Sequence, residues 1–406
     1  MNPKKIPIPS GVTLALAFAI SASAQEPPAH PPLAPVCLAP AAWYTLDGAT
    51  PRAVRGRELL GEIAKRDVVL LGERHDEADD HQWQIETLAA LHLLRPKMVI
   101  GFEAFPRRAQ PVLDKWIAGE LTVKQFLAQT EWEKVWNYPP EYYLPLFQFA
   151  RINRIPMLAL NVDRALPAAI TKNGWDAVPA AQKEGVSRPA PPSVAYRDFL
   201  FDVFKTHPHV AGQETGAANK DGKAFRFFVE SQTAWDRAMA EALARRVETG
   251  AGAQRPLVVG IMGVGHVRRG YGVPHQLRDL GVSNIGTLLP VESRQQDCSE
   301  IGTGLADAVF ALPGMPAEKA PPPRLGVQIE AADGGVRLLD VRAGSLAEQT
   351  GLKRGDIIES IAGSPAKTIS GVVAAVRAQP AGTWLPMQIR RGTEKLEFVV
   401  KFPPQK

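Results

Sequence analysis

The sequence has almost no cysteine: Cys37 and Cys298 stand alone in 406 residues. One disulfide is the most they can form. No apolar run is long enough for an internal transmembrane helix. There is no long Lys/Arg tract either, since 47 basic residues face 42 acidic ones for a formal charge of +5. So mild a balance gives no reason to expect nucleic-acid binding. The chain lacks a Gly-x-Ser-x-Gly segment and any Ser or Cys nucleophile motif. Hydrolysis by this chain would therefore rest on water activated by Glu or His. No internal repeat is found.

What is present fits two domains with flanking segments. Hydrophobic residues make up 45%, enough for a sizeable core. Lys4 and Lys5, the apolar stretch Gly11 to Ile20 and Ala22-Ser23-Ala24 read as a secretory leader with Gln25 first in the mature chain. Its apolar run is too short to be a membrane anchor. No Cys stands at the cleavage site, and Ala34-Pro35-Val36 before Cys37 is a poor lipobox. Losing Lys4 and Lys5 lowers the charge from +5 to +3. The chain is thus expected to be exported, to a periplasm or cell envelope. In an oxidising compartment an even cysteine pair reads either as a disulfide or as two unrelated thiols.

Two Pro-rich stretches divide the chain. We expect a leader at 1–24, a tether at 25–50, an α/β domain at 51–300, a linker at 301–323 and a second domain at 324–403. Between the breaks, short apolar strands at Asp67–Leu71, Met98–Phe102, Ile155–Leu160, Leu257–Met262 and Asn284–Leu289 alternate with helical stretches. His81, Ile85, Leu88 and His92 share one helical face. Such alternation predicts an α/β fold, a mostly parallel sheet with flanking helices. The long segments 107–150 and 193–249 are expected to form a helical cap, and 207–224 a mobile loop.

In a parallel sheet, ligands bind at the carboxyl ends of the strands. The first strand runs into Gly72-Glu73-Arg74-His75 and the second into Glu103. The third ends at Asn161, with Asp163 and Arg164 beyond. The fourth runs into Gly263-Val264-Gly265-His266, then Arg268 and Arg269. Two histidines and two carboxylates on one rim are equipped to ligate a metal or to move protons. The arginines suit carboxylates. We take Glu73, His75, Glu103 and His266 as candidate catalytic residues, and His75, His266 and Glu103 as candidate metal ligands. A strand-end Glu also serves as an ordinary ion-pair partner, and His81 as a buried helix residue.

These residues resemble the ChaN-like family of the Tiki/TraB/erythromycin-esterase-like superfamily. The matching pieces are Leu71–His75 with His81 and Gln84, Gly101-Phe102-Glu103, Tyr142 or Tyr143 to Ala150, Ala159-Leu160-Asn161, and Gly263–His266 with Gly272-Val273-Pro274. The resemblance implies haem as cofactor, bound through tyrosine in a homodimer, and an envelope role in iron or haem acquisition or trafficking. It equally implies relatives that are Glu/His hydrolases of a small-molecule substrate, some using a divalent metal. No motif maps the haem ligand onto the six tyrosines; Tyr271 is attractive by position alone. Arg268, Arg269, His81 and Asn161 complete the expected cofactor-binding set.

Residues 324–403 resemble a small, β-rich bacterial PDZ domain. Leu325-Gly326-Val327 matches its carboxylate-binding loop, and Gly351-Leu352-Lys353-Arg354-Gly355-Asp356 is the most specific motif in the chain. Val372–Val376 matches the groove helix; Leu385–Arg390 and Lys395–Val400 alternate as closing strands. The resemblance implies a protein C-terminal peptide as partner, held at Leu325, Gly326 and Val327. A purely structural PDZ domain is the other reading, and an α/β domain that has lost activity beside a working PDZ domain is a third view of the whole.

Overall fold

The computed structural model describes residues 36–48, 50–206, 219–248, 255–294, 297–313 and 323–404. The expected leader, most of the tether, residues 207–218 of the expected loop and part of the linker lie outside them. Internal contacts divide the chain into two compact units, Met1–Gly314 and Met315–Lys406.

The first unit is built on one sheet of eight strands: β1 Ala42–Thr45, β2 Arg52–Val54, β3 Val68–Glu73, β4 Met98–Pro106, β5 Met157–Asn161, β6 Leu257–Gly263, β7 Ile285–Glu292 and β8 Ala308–Leu312. Their order is β2-β1-β8-β7-β3-β6-β4-β5. All pairings from β8 to β5 are parallel, and β1 pairs antiparallel with β2 and β8. The parallel strands are apolar runs because both faces are covered. Side chains alternate across the sheet. Val69, Leu71, Ile100, Phe102, Val259 and Ile261 meet one helical layer, rich in aromatics such as Trp116, Phe126 and Phe147. Val68, Leu70, Val99, Val258 and Met262 meet the other, where Met239 and Leu243 project from the long helix Lys223–Glu248.

Two expectations need correction. The boundaries at 51 and 300 are too narrow, since β1 lies in the expected tether and β8 in the expected linker, and both complete the sheet. The helix Lys223–Glu248 is no cap but a layer of the core. It is the stretch 131–143 that reaches over the strand ends. Cys37 and Cys298 are disulfide-bonded, with Cα atoms 5.2 Å apart across a sequence separation of 261.

The second unit has strands β9 Val327–Ala332, β10 Gly335–Val341, β11 Ile357–Ile361, β12 Ser364–Pro365, β13 Trp384–Arg391 and β14 Glu394–Lys401, in the antiparallel order β14-β13-β11-β10-β9 with β12 on β11. The motif ending in Asp356 is explained by that residue's burial. Its carboxylate accepts from the Lys353 amide at 2.7 Å and from Arg391 at 2.8 Å, so the turn into β11 is tied to β13. The groove helix, Ile369–Arg377, is capped by Thr368, whose hydroxyl accepts from the Gly371 amide.

Candidate active site

The carboxyl ends of β3, β4 and β6 adjoin, because β6 lies between β3 and β4. Glu73 and Glu103 are both 2% exposed there. Buried carboxylates need partners. Glu73 accepts hydrogen bonds from Tyr143 Oη at 2.7 Å, His75 Nδ1 at 2.9 Å and Gln84 Nε2 at 2.9 Å. Glu103 Oε2 accepts from the Gly263 amide at 2.7 Å, and its Oε1 lies 3.5 Å from His266 Nε2.

His266 is in turn held from behind. Its Nδ1 donates to Asp236 Oδ1 at 2.6 Å, and Asp236 Oδ2 accepts from Tyr196 Oη at 2.7 Å. The site thus carries two carboxylate–histidine pairs, Glu73–His75 and Asp236–His266, with Glu103 beside both. A Cβ added at Gly263 would lie 3.0 Å from His75 Nε2 and 3.7 Å from Glu103 Oε2, so only glycine leaves this approach open. Each imidazole also packs on aromatic rings, His75 on Trp136 and Tyr138, and His266 on Trp235, with centroids 4.7, 5.3 and 5.3 Å away.

The electrostatics follow from these contacts. Burial works against the imidazolium of His266, but the charges of Glu103 and Asp236 and the Asp236 hydrogen bond outweigh it and raise its pKa to about 9. Burial likewise opposes charge on His75, yet the hydrogen bond to Glu73 and the charges of Glu103 and Glu73 raise it above the ordinary histidine value. Burial would raise Glu73; the His75 hydrogen bond, the charges of His81 and His75 and the Tyr143 hydroxyl hold it below the usual range instead. Tyr143 and Tyr196, each buried beside a carboxylate, are pushed well above the usual phenol range and stay protonated donors.

The structure brings Glu73, His75, Glu103 and His266 together. His81 is placed differently. It is 3% exposed, and its ring nitrogens lie 3.2 Å from Gln84 Oε1 and 3.2 Å from the His75 carbonyl oxygen. It buttresses the His75 segment and presents no nitrogen to a cofactor. Asn161 is also occupied, donating to the Glu103 carbonyl at 2.9 Å and accepting from the Val162 amide at 2.8 Å. For the expected metal set His75, His266 and Glu103, Glu103 is taken up by Gly263 and His266. Among the described residues no group of three or more His, Cys, Asp or Glu is arranged to hold a metal ion.

Sequence reasoning missed Asp236, Tyr196 and the two tryptophans. Asp236 had a readable signal: a charged residue within the apolar stripe that continues through Met239, Leu243 and Val247. A cavity of about 830 Å³ opens beside the pairs, lined by Trp136, Trp235, Asn161, Arg108 and Arg164 among others. That size suits a small organic ligand.

Tyr271 lies one layer away, just after the short turn Arg268–Gly270. Its ring stacks on Tyr196 at 5.4 Å, the same tyrosine that braces Asp236, and lies 6.3 Å from Phe199. Arg268 sits over Phe199 at 5.1 Å and pairs with Glu300 at 3.1 Å. Arg269 is exposed, its backbone fixed by donation to the Leu305 carbonyl at 2.8 Å.

Two family models match the chain. The family model described as haem-binding uptake, Tiki superfamily, ChaN matches residues 59–277, and a PDZ domain model matches 323–402. Among solved structures, one titled for cofacial haem binding to ChaN of Campylobacter jejuni is 21% identical, covering 66% of this chain and 96% of that one, with a TM-score of 0.49. An HtrA3 PDZ domain bound to a phage-derived ligand is 23% identical over 19% of this chain and 82% of that one, with a TM-score of 0.18. A serine endoprotease from Yersinia pestis is 21% identical over 20% of this chain and 29% of that one, with a TM-score of 0.18. No match was found among curated proteins.

Proposed function

We propose that this chain, which belongs to the ChaN family of haem-binding uptake proteins in the Tiki superfamily, binds haem at the face carrying Tyr271. On this reading it serves iron or haem acquisition or trafficking at the cell envelope, while its PDZ domain holds a protein C-terminus. The family match over residues 59–277 carries the proposal, since it spans both Gly-x-x-His segments and Tyr271. The residues fit the group. Haem is a flat apolar ring with two carboxylates and an iron that takes an anionic oxygen ligand. Tyr271 offers a phenol with no hydrogen-bond partner for its hydroxyl among the described residues, Phe199 and Tyr196 offer flat walls, and Arg269 and Arg268 offer cations. The leader-like segment at 1–24 supports export. Among the described residues no helix is long and apolar enough to cross a membrane. A homodimer about the haem face belongs to the same proposal. Haemin titration of the purified chain tests it: a saturable Soret shift supports haem binding, and its absence refutes it.

A second reading is favoured by one observation, the two carboxylate-held histidines beside the cavity. Glu103 is placed to take a proton from water as its oxygen attacks a carbonyl or ester carbon. His266, held protonated, is placed to give a proton to the leaving group. Glu73 and Asp236 fix the two imidazoles. Ester or amide hydrolysis without a Soret shift would establish it over the first.

A further inference from the structure

The groove of the C-terminal unit carries more positive charge than a peptide's own terminus neutralises. It is a cavity of about 440 Å³ between the edge strand β9 and the helix Ile369–Arg377. Among the described residues β9 pairs only with β10, which leaves its outer edge for a further strand. Val327 and Ile329 from the strand and Val372 and Val376 from the helix form its apolar walls. Gly326 makes the turn at its closed end. Its φ of +80° suits glycine, and a Cβ there would lie 2.4 Å from Ser345 Cβ.

Arg324, Arg342 and Arg377 line the same cavity. All three are exposed, and none of their guanidinium groups has an ion-pair or hydrogen-bond partner among the described residues. By contrast, Arg337, Arg390 and Arg391 of the same unit pair with Glu330, Glu359 and Asp356. Among the described residues one acid, Asp340, lines the groove. Backbone N–H groups at the Leu325–Val327 turn suffice for a terminal carboxylate. That carboxylate and Asp340 together still leave one positive charge of the three without a counter-charge.

We infer that the groove selects protein C-termini whose last residue is aliphatic and whose preceding residues include at least one carboxylate. The inference rests on the peptide-binding reading of this unit and adds its specificity. Fluorescence anisotropy on the full chain tests it, with three labelled ten-residue peptides that all end in valine. They carry glutamate, glutamine or lysine at the three positions before the last. At low salt the glutamate peptide binds roughly three- to tenfold more tightly than the glutamine peptide, as a few exposed ion pairs allow. The preference shrinks as salt is raised. The double variant Arg324→Gln/Arg377→Gln removes no ion pair or hydrogen bond among the described residues, and in it the preference for the glutamate over the glutamine peptide disappears. Equal binding of the glutamate and glutamine peptides, or tightest binding of the lysine peptide, overturns the specificity and leaves the peptide-binding reading standing. Binding of none of the three overturns both.

Discussion

Replacing Asp236 by Asn removes one of the two charges, with Glu103, that hold His266 protonated. His266 has a folded pKa of about 9, against about 6.5 for an unperturbed histidine. The folded value is raised, so the stabilisation that Glu103 and Asp236 give is fully present below about pH 6.5 and is lost as pH rises through about 9. At about 1.4 kcal/mol per unit, Glu103 and Asp236 together stabilise the charged His266 by roughly 3 kcal/mol at neutral-to-acid pH, and Asp236→Asn removes part of this. His266 has 12% side-chain exposure and Asp236 none, so solvent screening reduces this little. Asp236→Asn keeps an acceptor for Tyr196 or His266 but removes the charge. Denaturant unfolding at pH 6, 8 and 10, followed by tryptophan fluorescence, reads the effect. Seven of the eight tryptophans lie in the first unit, so the signal reports that unit. The wild-type chain is expected to lose stability from pH 6 to pH 10, and the variant to start lower and lose less. A variant whose pH profile parallels that of wild type would refute the pairing. So would an NMR titration that places His266 near the ordinary value.

Two further outcomes follow from the same geometry. Gly263→Ala places a methyl group 3.0 Å from the His75 ring. It should cost about 1–3 kcal/mol through forced displacement, and any hydrolytic activity should fall while haemin binding is retained; unchanged activity and stability would show the approach to be looser. Cys298→Ser opens the bond to Cys37 and should lower the stability of the first unit by roughly 2–5 kcal/mol, read by the same unfolding assay under non-reducing conditions. A midpoint equal to that of wild type would mean the bond constrains nothing that unfolds.

The strand ends were legible because a parallel sheet buried on both faces must be written as apolar runs. Whatever polar residue breaks such a run then falls on the rim. That is how Glu73, His75, Glu103 and His266 were found. The short strands β1, β2 and β8 were not legible. They are three to five residues long, and Ala42–Thr45 and Ala308–Leu312 are embedded in Pro-rich flanks. The supporting residues were harder still. Tyr143 has the composition of a core aromatic, and only its hydroxyl contact with Glu73, 70 residues away in sequence, gives it a place in the site. His81 sits on the correct helical face for a ligand, but the neighbours that occupy its nitrogens come from tertiary structure. The disulfide stood open at the sequence level, because two cysteines 261 residues apart meet only once β1 and β8 are known to pair.

The central claim is that haem binds at the Tyr271 face and not at the histidine–carboxylate site. Soret titration of the wild-type chain, Tyr271→Phe and His75→Gln in parallel tests it most directly. Saturable binding is expected of wild type, with a loss of about tenfold or more in Tyr271→Phe and near wild-type binding in His75→Gln. Unchanged binding by Tyr271→Phe, or loss confined to His75→Gln, would contradict it.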